Sequence, residues 1–372
     1  MPSPHIFLLI LIKISIIILW GRDMSISDFF LVVSSDPRLL IASLLIFGVV
    51  FVNGWTDAPG AITASVSTGA IKMKNAAILA AVFNFLGAMS MGLLNPSVMQ
   101  SVSEIAMMIG NGENSLKVLC AAMMSIIVWA VAAWYFGIPT SESHALISGI
   151  IGAALSVGAE VGGRTVDALK LAAIGLVFSL PVGCLCGLTV SKILKFSICN
   201  IKPEKRENFL RRGQILGAAA MSFMHGAQDS QKFAGVLVAA MCMSYSVPAE
   251  LCIANAPAWV SVVCALIIAA GTSVGGYRII KKVGMETVSL TPQKGLASDI
   301  SAAFCMLLAS IGGIPVSTTH TSSASIIGAG ISDKGSDLNL SSLKEMLLAW
   351  VFTFPCCGLL SYLFAKLFVD LF

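Results

Sequence analysis

Charge is the scarcest property of this chain. Only 11% of its 372 residues are Asp, Glu, Lys or Arg, against 57% hydrophobic. A soluble globular domain carries about 25% charged residues, so a water-soluble fold is excluded. Mean hydropathy of +0.90 points the same way. The apolar runs lack the strict alternation of a membrane β-barrel, and this leaves a bundle of spanning helices in the lipid bilayer. Also missing are a nucleotide-binding loop, a nucleophile triad and any cluster of metal ligands around the ten cysteines, which argues against an enzyme and against a resident metal or cofactor. Cys184, Cys186, Cys356 and Cys357 sit inside apolar runs as small packing residues. The net charge of +4 comes from loop lysines and arginines and makes no nucleic-acid patch. Residues 6–20 are apolar but have neither a charged leader nor a small-residue cleavage site. They read as a signal anchor, as an extra helix, or as sequence upstream of a start at Met24.

What the chain does have is repetition. Asn53-Gly-Trp-Thr-Asp57-Ala-Pro-Gly-Ala61 answers to His225-Gly-Ala-Gln-Asp229-Ser-Gln-Lys-Phe233, with the aspartates 172 positions apart. Gly137-Ile-Pro139-Thr-Ser141-Glu-Ser143-His144 answers to Gly313-Ile-Pro315-Val-Ser317-Thr-Thr319-His320, with the prolines and histidines 176 apart. Ile150-Ile-Gly-Ala153 and Ile326-Ile-Gly-Ala329 keep that register.

A spanning helix needs about 20 apolar residues. Five runs per half satisfy or approach this: about 38–71, 75–94, 115–136, 138–160 and 165–193, then 212–244, 250–272, 296–312, 314–332 and 341–369. The first run of each half is too long for one span, and both are expected to be discontinuous at the Asp motif. The Gly-Ile-Pro segments break the backbone again, as full spans or as re-entrant hairpins. The expected organisation is an N-terminal extension (1–37), a transmembrane repeat (38–193), a basic cytoplasmic linker (194–212) and a second repeat (213–372). Five spans per repeat would invert the second relative to the first, the architecture of many secondary transporters. The positive-inside rule then puts Lys72, Lys74, Arg278, Lys281, Lys282, Lys334 and Lys344 inside and Arg38, Lys117, Arg164 and Lys170 outside.

A carboxylate at mid-membrane costs about 2.5–3.5 kcal/mol on insertion scales. Asp57 and Asp229 at matching positions therefore read as a cation or proton site, with Asn53, Thr56, Ser65 and Gln228 as neutral oxygen donors. The Ser/Thr clusters after each Gly-Ile-Pro have the layout of a helix N-terminus, where free N–H groups and hydroxyls suit a tetrahedral anion. Ser141, Ser143, Ser317, Thr318 and Thr319 are the anion-binding candidates. His144 and His320 either close the hairpin through a hydrogen bond or act directly. Lys232 either snorkels to the interface or neutralises an anion or Asp229. Glu142, opposite Thr318, is a protonatable group or a partner for Lys232.

At these residues the chain resembles the inorganic phosphate transporter (Pit) family, the sodium- or proton-coupled phosphate symporters. Its Gly-Ala-Asn-Asp-type signature matches Gly54-Trp-Thr56-Asp57 and Gly226-Ala-Gln228-Asp229. Its Gly-x-Pro-x-Ser-Thr-Thr-His-type signature matches the two segments ending at His144 and His320. Gln231-Lys232 also fits the second-half pattern, which adds both to the phosphate-binding candidates. The resemblance covers residues 38–370. It implies an all-α inverted-repeat membrane fold, a phosphate site at the midplane, Na+ or H+ as the coupling ion, residence in the cell membrane, and a homodimer as one partner reading. The departures touch the ion cage: Thr56 and Gln228 replace an Asn before each Asp, Gly60 stands where a second Asn is expected, and Glu142 stands where the pattern has Thr. A sulfate or other oxyanion permease is the alternative, and an anion channel a more distant one. Phosphate can donate a proton to a carboxylate and sulfate cannot, so the acidic residues favour phosphate.

Overall fold

The structure is a computed structural model that describes residues 25–159, 162–245, 256–333 and 338–371. The amino-terminal run 6–20, the start at Met24 and Lys334 lie outside the described residues. Within them the chain is helical, apart from loops and one isolated bridge between Val288 and Leu338.

Helix α1 (Ile26–Ser35) starts at a reciprocal Ser25–Asp28 capping box. Helix α2 (Pro37–Thr56) starts with Asp36 at the cap and Pro37 in the first turn, where its missing N–H costs nothing. α2 stops at Asp57. Pro59 cannot donate to the Trp55 carbonyl and its ring would crowd that oxygen. The chain goes on as a 3₁₀ turn over Ala58–Ile62 and the short α3 (Thr63–Ser67). Next come α4 (Met73–Leu94), α5 (Ser97–Ala106), α6 (Ser115–Tyr135), α7 (Glu142–Ser156) and α8 (Gly163–Ile198). The later part contains α9 (Pro203–Tyr245), α10 (Ala258–Val274), α11 (Tyr277–Ile280) with a π-helical turn over Lys281–Glu286, α12 (Pro292–Ile311), α13 (Thr318–Gly330) and α14 (Leu340–Leu371).

Among the described residues, six helical stretches are long and apolar enough to cross a membrane: Pro37–Ser67, α4, α6, α8, α12 and α14. The pair α10 and α11, bent by 69°, makes a seventh if taken as one span. Three expectations from the sequence take definite form, and one of them is overturned. The run 138–160 yields a helix of 15 residues and the run 314–332 one of 13. At 1.5 Å per residue these are about 22 and 20 Å long, short of a hydrocarbon core of about 30 Å. Each follows a tight turn at its Gly-Ile-Pro segment, as the shorter arm of a helical hairpin. Second, the run 212–244 is not broken at Asp229. α9 continues through it for 43 residues, because Ser230-Gln231-Lys232 carries neither the Pro nor the Gly that follows Asp57. Third, the stretch 194–212 is mostly helical, with only 199–202 between α8 and α9.

The two hairpin turns are built alike. Gly137 has φ +69° and Gly313 has φ +64°. Ile138 N–H donates to the Ala133 carbonyl and Gly137 N–H to that of Trp134; Ile314 and Gly313 do the same to Ala309 and Ser310. This is a Schellman stop, which needs a left-handed residue that only glycine adopts without strain. A proline then prevents the helix from resuming, and Ser141 or Ser317 caps the next one by accepting from the N–H of His144 (3.2 Å) or His320 (3.1 Å).

The packing is reciprocal. α7 lies against α14, and α13 against α8. Ser361 Oγ bonds the Gly149 carbonyl, and Ser325 Oγ bonds that of Gly183. α9 occupies the centre, against α4, α5, α10 and α12. Close crossings use small residues, as in membrane bundles: a Cβ on Gly226 would stand 2.1 Å from the Asn84 carbonyl oxygen. Outward faces of α8 and α14 carry Val177, Phe178, Leu185, Val351, Leu359 and Leu363, all exposed. Such surface is stable facing lipid and not water.

Candidate functional site

The four motifs, far apart in sequence, meet in the interior. Ser141 and Ser317, the caps of α7 and α13, touch through their hydroxyls at 2.8 Å. Two half-helices thus point their N-terminal ends at one place, each with unsatisfied N–H groups and a partial positive charge. Glu142, Ser143, Thr318 and Thr319 follow in their first turns and are buried.

The carboxylates face these turns. Asp57 accepts from the Thr319 hydroxyl through Oδ1 and lies 3.3 Å from Thr318 Oγ1 through Oδ2. The same Thr318 hydroxyl lies 3.0 Å from Asp229 Oδ2. One hydroxyl has one proton, so Thr318 serves one carboxylate at a time. Asn53 Nδ2 donates to Asp229 at 3.1 Å. Ligand atoms of Asp57, Asp229 and His225 all fall within 4.8 Å of one another, and all three residues are buried. Like charges about 4 Å apart repel by about 4 kcal/mol at an effective dielectric constant of 20, so this cluster attracts a cation. The side-chain oxygen Oδ1 of Asn53 and Oε2 of Glu142 have no hydrogen-bond partner, which leaves acceptors for one.

Lys232 does not snorkel. It is 2% exposed, and its ammonium donates to Asp229 Oδ1 (2.6 Å), Ser143 Oγ (2.7 Å) and the Val316 carbonyl (2.6 Å). All three of its protons are used, in a buried pair whose disruption from one side costs about 3–5 kcal/mol. Glu142 is not its partner; Glu142 accepts from the Thr56 hydroxyl. Thr56, Asp57, Glu142 and Thr319 line a narrow recess of about 10 Å³ together with Trp134 and Pro139.

Two candidates turn elsewhere. Gln228 donates to Ser310 Oγ (2.9 Å) and the Ile314 carbonyl (3.3 Å), steadying the α12–α13 turn. Gln231 accepts from the Met99 N–H at 3.3 Å, which leaves its amide nitrogen without a partner. The His144 and His320 rings pack at 4.5 Å. The bonds that close the two caps come from their backbone N–H groups, while His144 Nδ1 and both His320 ring nitrogens lack partners.

Sequence reasoning passed over His225, although it stands in the quoted motif. Its Nε2 lies 3.3 Å from Asp229 Oδ2 and its Nδ1 lies 3.0 Å from Asn84 Oδ1. Asn84 in turn donates to Thr272 Oγ1. Asn84 lies in an ordinary apolar run, and no motif marked it. His225 stands four residues before Asp229, one helical turn, and that spacing was legible once α9 was known to be continuous.

Comparison with known proteins identifies the family. Residues 53–361 match the profile of a family described as "Phosphate transporter family". A "Probable low-affinity inorganic phosphate transporter" of Bacillus subtilis is 34% identical over 325 residues, covering 86% of this chain and 95% of that protein. A protein of the same description from Rhizobium meliloti is 33% identical over 326 residues, covering 87% and 94%. A solved structure titled "The sodium-dependent phosphate transporter" superposes with a TM-score of 0.76 at 22% identity, over 91% of this chain and all of that one. At that identity the likeness speaks for the fold.

Proposed function

The chain belongs to the phosphate transporter family, a multi-pass membrane family and not one of enzymes, and from that premise we propose that it moves inorganic phosphate by alternating access, coupled to Na+ or H+. The observation that carries this reading is the meeting of two half-helix N-termini beside two buried aspartates, with Ser141 and Ser317 in contact. Phosphate would take the hydroxyls and first-turn N–H groups of α7 and α13, with Ser143, Thr318 and Thr319 as further donors. On the α9 side the orphan amide nitrogen of Gln231 is a free donor, while the Lys232 ammonium, its protons already engaged, contributes charge.

Coupling follows from charge. A phosphate beside Asp57, Asp229 and Glu142 is repelled unless those carboxylates are neutralised, and Lys232 already answers Asp229. Cation binding at Asp57, with Asn53 and Thr56 near it, would have to accompany anion binding. The similar solved structure is titled sodium-dependent, which favours Na+. The inverted repeat is supported by the two identical Schellman turns and by the reciprocal packing of α7 on α14 and α13 on α8. A two-fold relation between halves gives such exchange of partners. It would let one half rock against the other around a fixed site.

The deciding measurement is uptake of labelled phosphate into proteoliposomes under separately imposed sodium and proton gradients, with excess sulfate as competitor. Uptake that follows one gradient and ignores sulfate is expected. Equal competition by sulfate would make this an oxyanion permease, and gradient-independent flux would make it a channel.

A further inference from the structure

The recess that holds Asp57 and Glu142 has a wall that the transport motifs do not supply. Besides those acids it is lined by Trp134 and Ile138, on either side of the Gly137 turn, and by Ile279 of α11. Arg278, next to Ile279, is exposed and reaches across this wall. Its Nη1 donates to the Tyr135 carbonyl. Its guanidinium lies 5.0 Å from the centre of the Trp134 ring and 5.4 Å from that of Tyr135. Trp134 packs in turn on Trp55 at 4.3 Å, two residues before Asp57.

Each partner has a reason to hold the arginine. The Schellman turn satisfies the carbonyls of Ala133 and Trp134, and Phe136 N–H satisfies that of Ala132. Tyr135, the last residue of α6, has no such backbone donor, and the C-terminal end of a helix attracts a cation. The planar guanidinium can stack on an aromatic face while donating in its own plane, which an ammonium cannot. The arginine is also mounted on a bend. α10 and α11 meet at 69°. The bend residue Gly276 presses on the first break, since a Cβ there would stand 2.3 Å from Pro59 Cγ and 3.1 Å from the Trp55 carbonyl oxygen. The Arg278 side chain thus ties the bend after α10 to the turn before α7, and Gly276 and Trp55 carry the same assembly to the break after Asp57.

The other hairpin has no equivalent. The turn at Gly313 is held by neutral groups of the α5 segment: Ser101 Oγ donates to the Gly313 carbonyl at 2.9 Å and Asn95 Nδ2 to that of Ser310 at 3.5 Å.

Building on the transport reading, we propose that Arg278 is a positioning residue that latches the recess shut, and that the route to Asp57 and Glu142 opens when its guanidinium leaves the end of α6. It acts through Trp134 and the Gly137 turn and touches neither ion nor phosphate.

Two experiments test the latch in protein whose free cysteines have been replaced. Thr140 lines the recess and is half-buried. In detergent, Thr140→Cys is expected to react with a bulky thiol reagent about ten- to a hundredfold faster when Arg278→Ala is added, the scale of one lost charge-assisted hydrogen bond. Arg278→Lys should fall between, because it keeps the charge and loses the planar fork. A Cβ on Gly137 would lie 3.9 Å from Arg278 Cβ, within disulfide range. The double variant Gly137→Cys, Arg278→Cys should therefore lose phosphate uptake on oxidation and regain it with dithiothreitol, whereas single Gly137→Cys, which carries the same backbone strain at φ +69°, should respond to neither reagent. A purely structural arginine would give neither the faster labelling nor the reversible block. Equal labelling rates with and without the arginine, or normal uptake by the cross-linked protein, overturn the latch. Uptake by the reduced double variant reports on transport itself, so the two readings fail separately.

Discussion

Asp57 and Asp229 occupy matching places in two motifs, yet the backbone around them differs. At Asp57 the helix ends and the chain turns through Ala58–Ile62. At Asp229 the helix runs on, and its next turn delivers Lys232 onto the carboxylate at 2.6 Å. The lesson is that a repeated motif can keep its charge and exchange its mechanics. The broken copy has a carboxylate held only by Thr318 and Thr319 hydroxyls from another helix. The continuous copy has one fixed by Lys232 and Asn53. Asp57 is thereby the group free to change partners when an ion arrives, and Asp229 the one that stays put.

The largest effect should come from unbalancing the fixed copy. Lys232→Met leaves Asp229 buried without its cation, at a cost of about 3–5 kcal/mol, and should lower thermal stability as well as abolish uptake. Adding Asp229→Asn removes the stranded charge, so the double variant should recover stability but not transport. If Lys232→Met alone is as stable as the parent, the pair is not the anchor described here. Next is the backbone itself. Ser230→Pro would impose on α9 the kind of break found after Asp57, at about 3 kcal/mol or more for an interior proline, seen as a lower melting temperature. Pro59→Ala should be far milder, since only a turn is straightened, yet it should impair uptake by moving Asp57. Equal stability losses in the two variants would mean that the halves are mechanically alike.

A smaller effect is expected where the halves agree. Ser141→Ala or Ser317→Ala removes one hydroxyl donor to a charged ligand, about 1.5–3 kcal/mol, and should weaken phosphate binding ten- to a hundredfold by about the same factor in each. Unchanged affinity in the combined variant would remove both hydroxyls from the anion site. The smallest effect should be at the rim. Lys195 donates to Asp333 at 2.7 Å, and this bond, with Lys195 and Lys294 nearby, holds the Asp333 carboxyl below its usual range. A depressed carboxyl stabilises the fold above its unfolded pKa and loses that contribution as pH falls through its folded value. The pair is solvent-exposed, so Asp333→Ala should cost at most about 1 kcal/mol at neutral pH and nothing in strong acid. Titration of the melting temperature of both proteins would show the two curves converging as pH falls.

Much of the site was legible in the sequence. Spacing of 172 and 176 and the polar character of the motifs picked out Asp57, Asp229 and both Ser/Thr clusters. The Gly-Ile-Pro pattern marked both hairpin turns, because a left-handed glycine, a proline and a serine cap act locally. Lys232 and Glu142 were noticed but not resolved. Their partners, Asp229 with Ser143 and Thr56, come partly from other helices, and periodicity along one helix is silent on those. Asn84 and Arg278 were not noticed as site residues: one lies in an apolar run, the other among loop cations, and only their distant neighbours give them a role.

By itself the sequence determined that the chain lies in a membrane, that it is built of two similar stretches, and where the two Gly-Ile-Pro turns fall. Those properties rest on apolar run length and on local backbone chemistry, which need no partner. Tertiary structure alone decided that Ser141 meets Ser317, that Thr319 reaches Asp57, and that the Lys232 ammonium also holds Ser143 and the Val316 carbonyl. These are contacts between residues as much as 262 positions apart, with 2.8 Å between the two serine hydroxyls, and they exist only once helix packing has brought the segments together.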